Sequence, residues 1–324
     1  MQLPDDLRDA VESELKIQSA RQLAKLTAEL SQRYREDPED GRTFIRSIAD
    51  VEAYAAYRMP ATFGAVAAVL SRVKDVLPDW EPQTLLDVGA GPGTVMWAAV
   101  SLFPSLSSIN LLEREPVMIS LGRRLAQHAD APAIQNADWI QVDVVEREAL
   151  EPHDLVTAAY VFGELDSSNR QAFIEKLWQA TGGILIIVEP GTVQGFARIR
   201  EARKQLIALG ATIAAPCPHE LECPISGSDW CHFAQRIART RLHRQVKGGE
   251  LAYEDEKFSY VAAARFPVQK IPGRILRTPQ VRKGHIIFEV CGPEGIETRI
   301  ISRKQKDLFR RAKELKWGSS FPEE

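Results

Sequence analysis

Three of the chain's four cysteines stand close together in "PCPHELECPISGSDWCHF", at Cys217, Cys223 and Cys231, and the fourth, Cys291, follows in "FEVCGPEG". Four thiolates complete either a tetrahedral zinc site or a [4Fe–4S] cluster. The intervals of five, seven and fifty-nine residues between them are not those of paired C-x-x-C knuckles, so four ordinary buried cysteines remain a competing reading. Pro216, Pro218 and Pro224 stiffen the loop and lower the entropy lost when its thiols converge. His219 and His232 are alternative ligands, or groups that would stand behind the ligands. Nothing in the sequence favours a disulfide framework: four cysteines in 324 residues without a secretory signal are expected to stay reduced.

A second constellation lies in "LLDVGAGPGTVMWAA", with Asp87, Gly89, Gly91 and Gly93 at a strand-to-helix turn. Glycines let a backbone bend sharply and approach a ligand with no Cβ in the way. The end of the first strand of a doubly wound sheet is where such folds bind ligands. A dinucleotide fingerprint from Gly89 would require glycine at 94, where Thr94 stands. The D-x-G-x-G-x-G form instead resembles the first motif of Rossmann-like methyltransferases that bind S-adenosylmethionine. In that family the acid matching Asp87 organises the loop around the methionine moiety. Glu113 closes the second strand, where the resemblance implies a carboxylate accepting the ribose hydroxyls. Asp143 closes the third, where it implies a contact to the adenine edge.

Residues for the transfer itself are harder to find. The fourth strand runs into "AAYVFGELD", without the Asn or Asp, Pro-Pro and aromatic that hold an exocyclic amine. No cysteine nucleophile lies near it. Tyr160 and Glu164 are acid–base candidates, although such residues at strand ends are more often structural.

The elements that must position these groups follow from periodicity. Residues 4–35 show helical spacing, a second helix is expected over 47–57, and a third from Pro60 to Pro78. From Thr84, short apolar runs ("TLLDVG", "SINLLE", "WIQVD", "LVTAAYVF", "GILIIVE") alternate with helices at about 94–103, 115–128, 168–180 and 193–209. That alternation predicts an α/β core with a mostly parallel, doubly wound sheet. After the cysteines, "KFSYVAAARF", "HIIFEVC" and "TRIIS" read as strands, followed by a basic helix. The expected organisation is an N-terminal helical region (1–78), a Rossmann-like core (79–215), a cysteine-rich insertion (216–247), and final core strands with a basic C-terminal helix (248–324).

Composition bounds the partners. The net charge of −3 hides a basic C-terminal third, because residues 231–317 carry 20 Lys plus Arg against 9 Asp plus Glu. Such an asymmetry fits a polyanionic partner or a solvated surface. The candidate contacts are Arg236, Arg239, Arg241, Arg244, Lys247, Arg265, Lys270, Arg274, Arg277, Arg282 and Lys283, and Arg303, Lys304, Lys306, Arg310, Arg311, Lys313 and Lys316 near the end. No apolar run reaches the ~20 residues of a membrane span. The acidic "MQLPDDLRDAVESELKIQSA" resembles neither a secretory nor an Arg-rich transit peptide, so a cytoplasmic location is expected.

"YRMPATF", "LLDVGAGPGT", "CPHELECPISGSDWCHFAQR" and "FSYVAAAR" together resemble the small-ribosomal-subunit methyltransferase-like family, over roughly residues 50–317. That family comprises bacterial proteins and mitochondrial relatives associated with small-subunit assembly. The cysteine stretch is the most specific element, since the glycine loop is shared by many methyltransferases. The resemblance implies a [4Fe–4S] cluster on Cys217, Cys223, Cys231 and Cys291, and S-adenosylmethionine in the cleft. It further implies action on the small ribosomal subunit or its rRNA by a protein monomeric when free, with methyl transfer possible but vestigial. The alternative is an active RNA or protein methyltransferase with a structural zinc. A small-molecule methyltransferase is disfavoured by the basic C-terminal region.

Overall fold

The computed structural model describes residues 2–15, 25–30, 32, 45, 47–238 and 253–322. Arg239, Arg241, Arg244 and Lys247 lie outside the described residues, as does much of the helical region expected over 4–35. Within that region a helix spans Asp5–Glu14.

The helices expected over 47–57 and from Pro60 to Pro78 form one rod. Ser47 caps a helix over Ile48–Ala53, its side chain accepting from the Asp50 N–H. One π turn, Tyr54–Arg58, then leads directly into the helix Met59–Val76, with Pro60 in its first turn. A π turn inserts an extra residue into the helical ladder and re-aims its side chains, and such turns are frequent at functional sites. The rod buries Met59, Phe63, Val66, Val69, Leu70 and Val73.

The main sheet contains β1 (Thr84–Val88), β2 (Ser108–Glu113), β3 (Asp138–Gln141), β4 (His153–Ala159), β5 (Thr181–Pro190), β6 (Thr212–Ala215), β7 (Phe233–Ala238) and β8 (Tyr253–Ala264). Its order is β3-β2-β1-β4-β5-β8-β6, with β7 alongside β8. β1 to β5 are mutually parallel, and β8 runs antiparallel to its three neighbours. Strands buried on both faces read as continuous apolar runs, as "GILIIVE" does in β5. On one face pack the rod and the helices Thr94–Leu102 and Pro116–Ala126, and on the other the helices Ser167–Gln179 and Val193–Ala208. Strand order reverses between β2-β1 and β4-β5. The crevice at the carboxyl ends of β1 and β4 is therefore the topological switch point.

The strands after the cysteines divide between two sheets, a split that periodicity alone did not reveal. β8 completes the main sheet. β9 (Arg274–Ile275), β10 (Gln280–Arg282), β11 (His285–Gly292) and β12 (Gly295–Ser302) form a second, antiparallel one. Its inner face buries Ile275, Ile286, Phe288, Val290 and Ile301 with Ala312 and Phe321. Its other face leaves Ile296 and Ile300 exposed. Alternating burial along β11 is what a sheet covered on one side produces. Among the described residues, no helix is long and apolar enough to cross a membrane.

Candidate functional site

The glycine loop hangs from β1 and is clamped by β2. The Gly89 and Ala90 N–H groups both donate to the Leu112 carbonyl, at 2.8 and 3.0 Å. Glu113 then uses both carboxylate oxygens on backbone: Oε2 accepts from the Gly91 N–H at 2.7 Å and Oε1 from the Glu115 N–H at 2.9 Å. Gly89, Gly91 and Gly93 all have positive φ. At Gly89 the need for glycine is also steric, because a Cβ there would fall 2.4 Å from Val161 Cγ2. At Gly91 a Cβ would meet only the Tyr54 hydroxyl, at 3.9 Å. The loop is thus packed at Gly89 and open at Gly91, and Tyr54 from the π turn faces the opening.

Asp87 is fully buried at the base of the loop. Thr157 of β4 donates to its Oδ1 at 2.7 Å, whereas Oδ2 has no hydrogen-bond partner. Burial pushes its pKa up to about 7; the Thr157 bond opposes this and the Glu113 charge reinforces it. Burial also raises Glu113, against its backbone hydrogen bonds. Glu164, beyond β4, is pushed up to about 7 by burial and neighbouring acids, although Arg114 bridges it at 3.4 Å. The buried Glu189 accepts from the Phe162 N–H at 3.1 Å, pairs with Arg198 at 3.2 Å, and is also pushed up to about 7 by burial. This group of acids held protonated by burial, one with an orphaned oxygen, suits a cationic ligand at the loop, since a positive charge would stabilise the ionised forms.

Asp143 is placed differently from the other expected residues. β3 stops at Gln141, and Asp143 heads the following turn, its Oδ1 accepting from the Val145 N–H at 2.9 Å. Lys176 braces that turn by donating to the carbonyls of Val144, Val145 and Arg147.

Tyr160, the residue after β4, has φ 63°, uncommon for a non-glycine residue and costing of order 1–3 kcal/mol. Its hydroxyl donates to Glu256 at 3.3 Å, and Arg58 bridges the same carboxylate at 3.2 Å. The residue singled out as an acid–base candidate is therefore committed to a hydrogen bond with a half-buried ion pair.

All four cysteines are free and line one cavity of about 40 Å³, more than the ~10–15 Å³ a single water needs. Cys217, Cys223 and Cys231 come from the segment between β6 and β7, and Cys291 from β11 of the second sheet. Among the described residues, no three His, Cys, Asp or Glu side chains stand close enough together to hold a single metal ion. Burial raises the pKa of Cys217, carries Cys231 well above the usual thiol range, and brings Cys291 to about 12. Nearby Arg203 and Arg274 pull Cys217 and Cys291 back down. His219 Nε2 lies 3.6 Å from Cys291 Sγ, while His232 stacks on Trp230 with ring centroids 4.9 Å apart. His219 is thus a neighbour of the thiols, and His232 is held within an aromatic stack.

One of the expected phosphate contacts, Arg274, is corrected, and others are engaged within the fold while still reaching solvent. Arg274 is only 1% exposed, donating to the carbonyls of Pro216 and Gly318 at 3.0 and 2.9 Å. Arg265 lies over the Trp178 ring and donates to the carbonyls of Thr181 and Trp178. Lys270 is paired with Glu220 and Arg277 with Asp229. Charge counts do not distinguish a guanidinium facing solvent from one threading the interior. Arg282, Lys283, Arg303, Lys304, Lys306, Arg310, Arg311, Lys313 and Lys316 are exposed, on the second sheet and the segment after it. Sequence reasoning also missed Tyr54, Thr157 and Arg203, none of which carries a local signature of its task.

The sheet order, the antiparallel β8 inserted between β5 and β6, and the glycine loop at the switch point define a Rossmann-like class I methyltransferase fold. Within that class the chain belongs to the family described as mitochondrial small ribosomal subunit Rsm22, which matches residues 48–322. It is 30% identical to the human (Homo sapiens) ribosome assembly protein METTL17, mitochondrial, over 83% of this chain and 62% of that protein. Rsm22-cox11 tandem protein 2, mitochondrial, from Schizosaccharomyces pombe is 25% identical over 88% of this chain and 44% of its own. The chain therefore spans between 44% and 62% of these relatives' lengths. Among solved structures it is similar to magnesium protoporphyrin IX methyltransferase from Synechocystis PCC 6803, with TM-score 0.42 and 15% identity over 72% of this chain and 90% of that one. At that level the strand order, and not the likeness, carries the fold assignment. The cytoplasmic location expected from the N-terminus is overturned, because the family and both relatives are described as mitochondrial. The acids that prompted it, Asp5 and Asp6, sit in the first turn of a helix, where negative charge complements the helix dipole whatever the compartment.

Proposed function

We propose that this protein binds S-adenosylmethionine at the glycine loop, holds a [4Fe–4S] cluster on Cys217, Cys223, Cys231 and Cys291, and serves assembly of the small ribosomal subunit by binding its RNA. The observation that carries the reading is the gathering of all four cysteines, three from the segment between β6 and β7 and one from the second sheet, around one cavity that also receives two buried arginines. The fit favours a cluster over zinc. A lone ion at about 2.3 Å from each sulfur needs thiols already converged, whereas a cluster spreads its ligands around a larger volume. When bound, the cluster would supply a rigid inorganic cross-link and an electron-accepting group.

In the cleft, the Gly91 opening would admit the cofactor's carbon skeleton. The unpaired Asp87 oxygen would accept from its ammonium group, and the free lone pairs of Glu113 from its ribose hydroxyls. Asp143 is proposed for the adenine edge. Tyr160, held by Glu256 and Arg58, stands where an acceptor-binding motif would be needed. Cofactor binding without efficient transfer fits that arrangement, and the ribosomal role of the relatives fits the exposed basic surface.

Anaerobic purification tests the reading. About four irons and four sulfides per chain are expected, lost on replacing any of the four cysteines by serine. Stoichiometric zinc without sulfide would establish the alternative, a methyltransferase with a structural zinc, and a stable metal-free protein would reject both.

A further inference from the structure

Arg203 and Arg274 are 6% and 1% exposed and both line the cysteine cavity. Burying a guanidinium is costly unless a counter-charge compensates it. Neither has a carboxylate ion-pair partner among the described residues. Each instead grips the cysteine loop through a carbonyl, Arg203 at His219 (2.7 Å) and Arg274 at Pro216 (3.0 Å). Each also retains a donor without a hydrogen bond, Nε of Arg203 and one terminal nitrogen of Arg274. Two fixed positive charges with idle donors, beside four thiols, are half of an electrostatic pair.

We propose that Arg203 and Arg274 are the built-in counter-cations of the group bound by the four cysteines, compensating its negative charge and donating hydrogen bonds to its sulfurs. The proposal rests on the reading above that these cysteines bind a metal–thiolate group. Four thiolates around a [4Fe–4S]2+ core carry a net charge of −2, which two guanidiniums balance, and one-electron reduction takes the group to −3. Positive charge and hydrogen bonds at the sulfurs stabilise the reduced form more, so they raise the reduction potential. The apoprotein, in contrast, holds two buried cations with no carboxylate in contact, only the more distant charges of Glu220 near Arg203 and Asp75 near Arg274. A purely structural arginine would stabilise both forms alike; a counter-cation stabilises the loaded form selectively.

The test uses the full-length protein with Arg203→Gln, which keeps a donor for the His219 carbonyl, and Arg203→Lys, which keeps the charge. Arg274→Lys guards against misfolding of the first variant. For Arg203→Gln the reduction potential should fall, and the loaded protein should lose iron to a chelator roughly tenfold faster, as expected when a hydrogen bond to a charged group is removed. Its melting temperature should drop more in the loaded than in the metal-free form. Both lysine variants should stay closer to wild type in potential. An unshifted potential in Arg203→Gln, with equal melting shifts in loaded and metal-free forms, would overturn the counter-cation role while leaving the cluster itself intact. Wild-type protein carrying no metal would instead overturn the reading beneath it.

Discussion

Replacing Gly91 by alanine separates what the loop does for a ligand from what it does for the fold. A Cβ at Gly91 has a single neighbour, the Tyr54 hydroxyl at 3.9 Å, an ordinary contact distance. The fold would bear only the cost of a non-glycine residue at φ 55°, about 1–2 kcal/mol. The melting temperature should then fall by only a few degrees. The added methyl nevertheless projects into the opening through which the cofactor is proposed to approach, so affinity should fall at least tenfold, about 1.4 kcal/mol. Gly89→Ala is the control with the opposite profile. There the Cβ would lie 2.4 Å from Val161, adding about 1–3 kcal/mol of overpacking to the same backbone strain. Thermal melting and calorimetric titration with S-adenosylmethionine on both variants would decide the matter. A Gly91→Ala protein that binds as tightly as wild type would refute the placement of the ligand.

Two further perturbations address charge. Asp87, raised by burial to about 7, keeps its proton in the folded state at pH values where the unfolded chain has lost it, so its contribution to stability is full below about pH 4 and is lost as pH rises through about 7. Asp87→Asn should therefore flatten the decline of melting temperature across that window, and cofactor affinity in wild type should rise with pH as the carboxyl ionises; calorimetry in buffers of different ionisation enthalpy would detect the released proton. On the basic surface, reversing Arg282, Lys283, Arg303 and Lys304 together should weaken RNA binding and flatten its salt dependence by roughly 0.7–0.9 in log–log slope for each phosphate no longer neutralised, leaving cofactor affinity unchanged. Filter binding at several salt concentrations measures both, and an unchanged slope would show those charges to be merely solvated.

The α/β core was legible because its strands and helices follow the periods of their own packing. "TLLDVG" through "GILIIVE" fall on β1 to β5, and the glycine loop falls at the switch point. Boundaries set by side-chain commitments were less visible. Asp143 reads as a strand end, yet the strand stops at Gln141 because the chain turns to meet Lys176. The second sheet was hidden because amphipathic strands alternate in the same way whichever sheet they join. Arg274 shows the limit most clearly. As one positive charge among many it resembled a phosphate contact, and only its position between the Pro216 and Gly318 carbonyls reveals an interior residue.

That position ties the two halves of the protein together. Cys291 and Arg274 belong to the second sheet, while Cys217, Cys223, Cys231 and the carbonyl that Arg274 grips belong to the segment between β6 and β7 of the main one. The seam between them is otherwise sealed by a small apolar cluster of Phe196, Ile225, Leu276 and Cys291, and by the Arg277–Asp229 pair. The second sheet and the segment after it carry most of the expected contacts that are exposed, Arg282, Lys283 and the seven basic residues of 303–316. A group bound by all four thiols would therefore cross-link the basic surface to the cofactor-binding core, fixing their relative orientation. Replacing Cys291 by serine, which removes no positive charge, should then weaken binding to small-subunit particles and make the β9–β12 sheet exchange its amide hydrogens faster, with β1 to β5 little changed. Hydrogen exchange and particle co-sedimentation on the same preparations would test the coupling. If the serine variant lost its metal and still co-sedimented at wild-type levels, the cysteine cavity and the basic surface would be independent devices sharing one chain.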